Sequence, residues 1–123
     1  MENSQEHATI LIVEDIDWIR RGMTKAVERE GYRTVEAKDD AETFEFAELE
    51  SIELILTEEK VPTFNALIAR LGEHPILNSI PVAIVNPDAE DGARHGDAYL
   101  LADYAGITPL LSGAKLARRS DPL

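Results

Sequence analysis

The sequence predicts a doubly wound α/β domain: one sheet of five parallel strands with helices packed on both faces. Three observations predict it. Short β-branched and apolar runs recur along the chain, as Ile10–Val13, Leu54–Leu56 and Val82–Val85. Segments with helical spacing separate them. The runs are continuously apolar rather than alternating, which suits strands buried on both faces, as in a parallel sheet.

Each element has its own signal. Thr9–Val13 is the first strand and ends in Glu14-Asp15. From Asp17 to Glu30 the apolar positions Ile19, Met23, Ala26 and Val27 fall on one helical face. Gly31 suits the residue beyond a helix end, where a left-handed backbone is common. Tyr32–Ala37 is the second strand. Asp39 or Asp40 caps a second helix whose inner face carries Ala41, Phe44 and Ala47. Ile52–Thr57 is the third strand. Phe64, Leu67, Ile68 and Leu71 mark a third helix, broken at Gly72, Pro75 and Asn78. Pro81–Val85 is the fourth strand, with proline tolerated at its start. A fourth helix is expected within 89–101, weakened by Gly92 and Gly96. The fifth strand is expected over Asp103–Thr108, followed after Pro109 by a marginal last helix reaching Arg119. These readings give a flexible N-terminus at 1–8, one domain over 9–119 and a tail at 120–123.

Composition excludes several classes. The 123 residues suit one domain. The net charge of −12 disfavours phosphate backbones and anionic membrane surfaces, so no nucleic-acid or membrane partner is expected for this domain. The single basic run, Lys115, Arg118 and Arg119, fits the last turn of a helix. No cysteine is present, which removes disulfides and thiolate metal sites. The first eight residues lack the apolar segment of a signal peptide, and no apolar run approaches the ~20 residues of a membrane span. A cytoplasmic location is expected.

In sheets of this kind the site lies beyond the carboxyl ends of the strands. That rule gathers Glu14 and Asp15 from the first strand, Glu58 from the third, Asn86 from the fourth and Thr108 from the fifth. Three acids in one pocket suit a hard cation such as Mg²⁺, which takes oxygen ligands. Without a cation they would raise one another's pKa. Lys60, two residues beyond Glu58, is within reach of Glu58 or Asp15 and would partly replace a metal. The alternative is that these side chains simply face water at the strand ends.

The same residues resemble a known family. "ILIVEDID" (10–17), Arg20, Met23 and Val27 of the first helix with the Gly31-Tyr32 pair after it, "ELILTEEKVP" (53–62), "IPVAIVN" (80–86) and "DYAGITP" (103–109) together are similar to the receiver domain of two-component response regulators. The resemblance spans roughly 9–119 and implies the flavodoxin-like (βα)5 fold. It implies a phosphoacceptor aspartate ending the third strand, Mg²⁺ held by the acidic pair and a backbone carbonyl at Lys60, a Ser or Thr ending the fourth strand, and a Lys-Pro pair ending the fifth. On this chain those positions fall on Glu58, Asn86, Thr108 and Pro109. The aromatic switch position falls on Ala105, with Tyr104 beside it. The implied partner is a sensor kinase or an output protein, or a second copy meeting through the fourth helix, fifth strand and fifth helix.

The departures have physical weight. Glutamate moves its carboxylate on the order of 1 Å beyond an aspartate's, and misplacement of that size costs ~10²-fold in rate. Loss of the lysine removes the cation that would stabilise the transferring phosphoryl group. The expectation is therefore an atypical receiver, not an enzyme, that works through protein contact without aspartyl phosphorylation and holds Mg²⁺ weakly or not at all. Glu58 is then either a one-charge mimic of the phosphorylated state or a neutral relic. Two alternatives stand beside this: a phosphoryl group still accepted on Glu58 or Asp15, and a small Mg²⁺-dependent phosphatase suggested by the Asp15-x-Asp17 spacing.

Overall fold

A computed structural model describes residues 8–49, 51–58, 70, 72–74, 77–86, 94–95 and 98–112. The order is β1 (Thr9–Val13), α1 (Asp17–Arg29), β2 (Arg33–Ala37), α2 (Asp40–Leu49), β3 (Ile52–Glu58), β4 (Val82–Val85), β5 (Arg94–His95) and β6 (Ala98–Leu101). Short 3-10 turns occupy Leu77–Ser79 and Tyr104–Gly106, and residues 107–112 are helical. The strands form one sheet in the order β2-β1-β3-β4-β6-β5. All neighbours pair in parallel except β5 and β6, which are antiparallel. Five parallel strands with the first one inside the sheet make the flavodoxin-like fold that the sequence predicts.

The continuous apolar runs are explained by two cores, one on each face. On one face Leu11, Val13, Ile55, Val82 and Ile84 pack under α2, with Ala47 buried and Phe44 half-buried. On the other, Ile10, Ile12, Leu54, Leu56 and Ala83 pack under Met23 and Val27 of α1 and under Ile107 and Leu111 of the last helix. Successive strand residues serve opposite faces, so both must be apolar. A bulge in β3 opposite Thr9 and Ile10 takes up one extra residue, which places Ile52 and Ile55 in the same core.

Local chemistry sets the helix ends. Gly31 has φ +97° and its N–H reaches the Glu28 carbonyl at 3.0 Å, closing α1. Asp39 accepts from Glu42 N at 2.9 Å, and the Glu42 carboxylate accepts from Lys38 N at 3.0 Å. The two bonds form a reciprocal cap on α2. Ala41, expected on the inner face, is exposed; Thr43 takes the buried place, with its hydroxyl donating to the Asp39 carbonyl at 2.8 Å. Gly72 does not break its helix, since Gly72 and Glu73 are both helical. The apolar positions expected for the third helix, Phe64 to Ile68 and Leu71, lie outside the described residues.

The main correction concerns the fifth parallel strand. It runs over Ala98–Leu101, not Asp103–Thr108, and pairs Ala83 with Tyr99 through Val85 with Leu101. Residues expected to be helical at 94–95 and 98–101 are therefore strands. Asp103 ends the strand because its carboxylate accepts from Ala105 N at 3.0 Å and caps the 3-10 turn. Thr108 and Pro109 lie within the helical residues 107–112. A proline in a first helical turn has no N–H to lose from the ladder.

Two glycines of α1 and its end predict opposite responses. Gly31→Ala forces a β-carbon onto a left-handed backbone and is expected to destabilise by about 1–2 kcal/mol. Gly22 lies in the helix interior, and a β-carbon there would meet nothing within 4 Å. Gly22→Ala is expected to stabilise by about 0.5–1 kcal/mol. Urea unfolding of both variants checks the signs.

Candidate functional site

The carboxyl edge of the sheet gathers the ends of β1, β3, β4 and β6. Glu14 directly follows β1, and its N–H donates to the Ala37 carbonyl at 3.1 Å, continuing the pairing with β2. Val13 pairs with Thr57, so Glu14 and Glu58 are the next residues along adjacent strands. Thr57 is itself fully buried. Asn86 follows β4, and its N–H donates to the Leu101 carbonyl at 2.9 Å. That bond carries the β4–β6 ladder one step further and leaves Ala102 as the residue beyond the fifth parallel strand.

The acidic turn is built from backbone and side chain together. Glu14 is only 3% exposed. Its Oε2 accepts from Ile16 N at 3.0 Å, which folds the carboxylate back over its own turn. Asp15 is exposed and has no hydrogen-bond or ion-pair partner among the described residues. The two acids of the pair thus differ: the first closes the turn and the second faces solvent.

Arg20 holds this turn from α1. Its Nη1 donates to the Glu14 carbonyl at 2.8 Å, its Nη2 to Asp17 Oδ1 at 2.6 Å and its Nε to Glu36 Oε1 at 3.0 Å. The side chain is 12% exposed. Burial opposes its charge, but the hydrogen bonds to Asp17 and Glu36 outweigh that and raise its pKa above the ordinary arginine value. Asp17 responds in the opposite sense: the Arg20 hydrogen bond, then the Arg20 charge, hold its carboxyl below the usual value.

The other predicted positions separate. Thr108 is on the last helix, and its hydroxyl shares a hydrogen bond with the Tyr32 hydroxyl. Tyr32 precedes β2, at the amino edge of the sheet, so Thr108 is away from the carboxyl edge, and Pro109 follows it in the helix. Both are corrected as strand-end positions. Tyr104 lies in the 3-10 turn after β6, half-buried against the α1-side core. The aromatic within the fifth parallel strand is Tyr99. Lys60 lies outside the described residues, as does the side chain of Glu58. Among the described residues no group of three His, Cys, Asp or Glu side chains gathers as a metal site.

Sequence reading passed over α1's outward stripe. Trp18, Gly22, Lys25 and Arg29 follow one another at i, i+4, i+7 and i+11, and all are exposed. Trp18 is 75% exposed and Ile16 44%. The signal was present: α1 carries four cations, Arg20, Arg21, Lys25 and Arg29, against Asp17 and Glu28, in a chain of net charge −12. No helix among the described residues is long and apolar enough to cross a membrane.

With this geometry in view, the chain is similar to several known proteins. A sensor protein from Polaromonas sp. JS666 superposes with a TM-score of 0.73 at 15% identity, covering 87% of this chain and 98% of that one. The receiver domain of the sensor histidine kinase PA1611 from Pseudomonas aeruginosa, solved with a magnesium ion in its active-site cleft, gives 0.67 at 19% identity over 87% and 96% of the two chains. The receiver domain of a signal transduction histidine kinase from Syntrophus aciditrophicus gives 0.68 at 21% identity over 94% and 96%. In sequence, 86 residues, 67% of the chain, are 31% identical to the CAI-1 autoinducer sensor kinase/phosphatase CqsS of Vibrio cholerae. The match spans only 12% of that kinase's length. No family model matches the chain. The fold is that of receiver domains.

Asp17 yields a pH prediction. Its lowered folded pKa means that its contribution to stability is present above the unfolded value. That contribution is lost as pH falls through the folded value. Because Asp17 is solvent-exposed, screening keeps the effect small. Urea midpoints measured from pH 2 to 6 should fall less steeply below about pH 4 in Asp17→Asn than in the wild type.

Proposed function

We propose that the chain is an atypical receiver domain of two-component signalling, of the kind carried by histidine kinases, and that it works by protein contact without aspartyl phosphorylation. It is a signalling module and not an enzyme. The observation that carries this reading is the trio at the carboxyl edge. Glu58 stands where the acceptor aspartate would end the third strand, Asn86 where a hydroxyl would end the fourth, and Ala102 where a lysine would follow the fifth. With Leu101 as the last residue of the fifth parallel strand, we read the lysine position at Ala102 rather than Thr108. An alanine has neither charge nor hydrogen bond to offer a transferring phosphoryl group.

A hard cation remains chemically suited to the acidic turn. The donors are oxygens, Asp15 faces solvent with no protein partner among the described residues, and Glu58 is one register step away. In this reading Asp15 and Glu58 would hold a magnesium ion, with the Lys60 carbonyl as a third donor. The ion would offset the mutual repulsion of the carboxylates. With so few protein donors it would keep most of its water and bind weakly. The Lys60 ammonium is the alternative counter-charge. The partner is a sensor kinase or an output protein, and the domain is cytoplasmic. The exposed Trp18 beside the turn supports a contact on the outer side of α1.

Incubation with acetyl phosphate and Mg²⁺, followed by intact-mass measurement, tests the reading. No stoichiometric gain of a phosphoryl group is expected in the wild type or in Glu58→Asp alone. The triple substitution Glu58→Asp, Asn86→Thr, Ala102→Lys is expected to gain labelling. Stoichiometric labelling of the wild type would instead establish a working acceptor at Glu58 or Asp15.

A further inference from the structure

Among the described residues four hydrogen bonds hold the acidic turn, and three of them are local or belong to the sheet. Glu14 N donates to Ala37 O, Ile16 N to Glu14 Oε2, and Arg20 N to Ile16 O at 2.9 Å. The fourth, from Arg20 Nη1 to the Glu14 carbonyl, is different in kind. The same guanidinium is also fixed to Asp17 on the first turn of α1 and to Glu36 on β2. One planar group therefore locks the end of β1, the start of α1 and the neighbouring strand into one geometry. Only arginine offers directed N–H donors in such a fork; lysine is a point charge on a flexible stem.

Asp15 lies between the anchored Glu14 carbonyl and the anchored Ile16 N–H. Its own side chain is exposed and makes no hydrogen bond or ion pair among the described residues that would orient it. The direction in which it leaves the backbone is thus set by its neighbours. We propose that Arg20 is a positioning residue: by holding the Glu14 carbonyl against Asp17 and Glu36, it sets the direction of Asp15 and with it the affinity of that carboxylate for a hard divalent cation. This rests on the reading of the acidic turn as a cation site. Arg20 itself touches no cation.

The test exploits a conflict of sign. Arg20→Ala removes a positive charge near the acids, so electrostatics alone would tighten Mg²⁺ binding. Loss of positioning would weaken it. Trp18, the single tryptophan of the chain, lies three residues from Asp15 and reports the titration without a label. Arg20→Ala is expected to raise the apparent Kd for MgCl₂ about 10-fold or more, in the range found when outer partners of metal ligands are removed. Arg20→Lys should not restore it, although it keeps the charge and preserves folding. Lys25→Ala, on the outward stripe, removes the same charge and should leave the Kd unchanged or lower it. An Arg20→Ala Kd equal to or below the wild type, or full rescue by lysine, overturns the proposal.

Metal-free protein supplies the second readout. Amide exchange at Ile16, compared with the Met23 and Val27 amides in the same helix region, should accelerate selectively in Arg20→Ala. A wild type with no saturable Mg²⁺ response overturns the cation reading and the affinity claim with it. Unchanged exchange at Ile16 overturns the positioning claim itself.

Discussion

The structure depends on the complete enclosure of β1. It pairs in parallel with β2 on one side and β3 on the other, and both of its faces are covered. Ile10, Leu11 and Ile12 have no solvent exposure at all. A charge anywhere inside such a strand would lose its hydration with nothing to replace it. Polar chemistry is therefore pushed to the strand ends, and the first residue past β1 is a glutamate. Glu14 is still buried, so it is tolerated only with partners, and the Ile16 N–H provides one. Asp15, one residue further, is free of that constraint.

Most of this was legible in the sequence. The runs 10–13, 54–56 and 82–85 are apolar at every position, a pattern that requires two covered faces, and Gly31 marked the end of α1. The fifth strand was not legible, for a physical reason. Tyr99-Leu100-Leu101 is too short to show a period, so a buried strand and a helix turn look alike there. The Thr108-Pro109 pair then drew the strand end seven residues too late, past Leu101. The available discriminator was Asp103, an acid able to cap a turn directly after the apolar run. The α2 face was misread for a similar reason: Ala41 and Thr43 are both small enough for either side, and the hydroxyl of Thr43 is satisfied within its own helix.

The acids at the carboxyl edge were legible in the sequence, and the side chain that braces their turn was not. Glu14, Asp15, Glu58 and Asn86 follow from the single rule that strand ends share an edge. Arg20 does not, because it bridges three acceptors at once: Asp17 and the Glu14 carbonyl are near it in sequence, but Glu36 lies on another strand. Nothing in the spacing of Arg20 and Glu36 announces that they meet. Moving the end of the fifth strand also changes the chemistry. A hydroxyl at Thr108 would have added a polar side chain to the carboxyl edge beside Asn86, whereas Ala102 adds none.

β5 has a consequence of a different kind. A parallel sheet that ended at β6 would present that strand's outer row of amides and carbonyls to solvent, ready to template another chain. The antiparallel pairing of Arg94 with Tyr99 and His95 with Ala98 covers the first half of that row with the protein's own backbone. Among the described residues the outermost strand on that side has two residues, too short to recruit a neighbour in register.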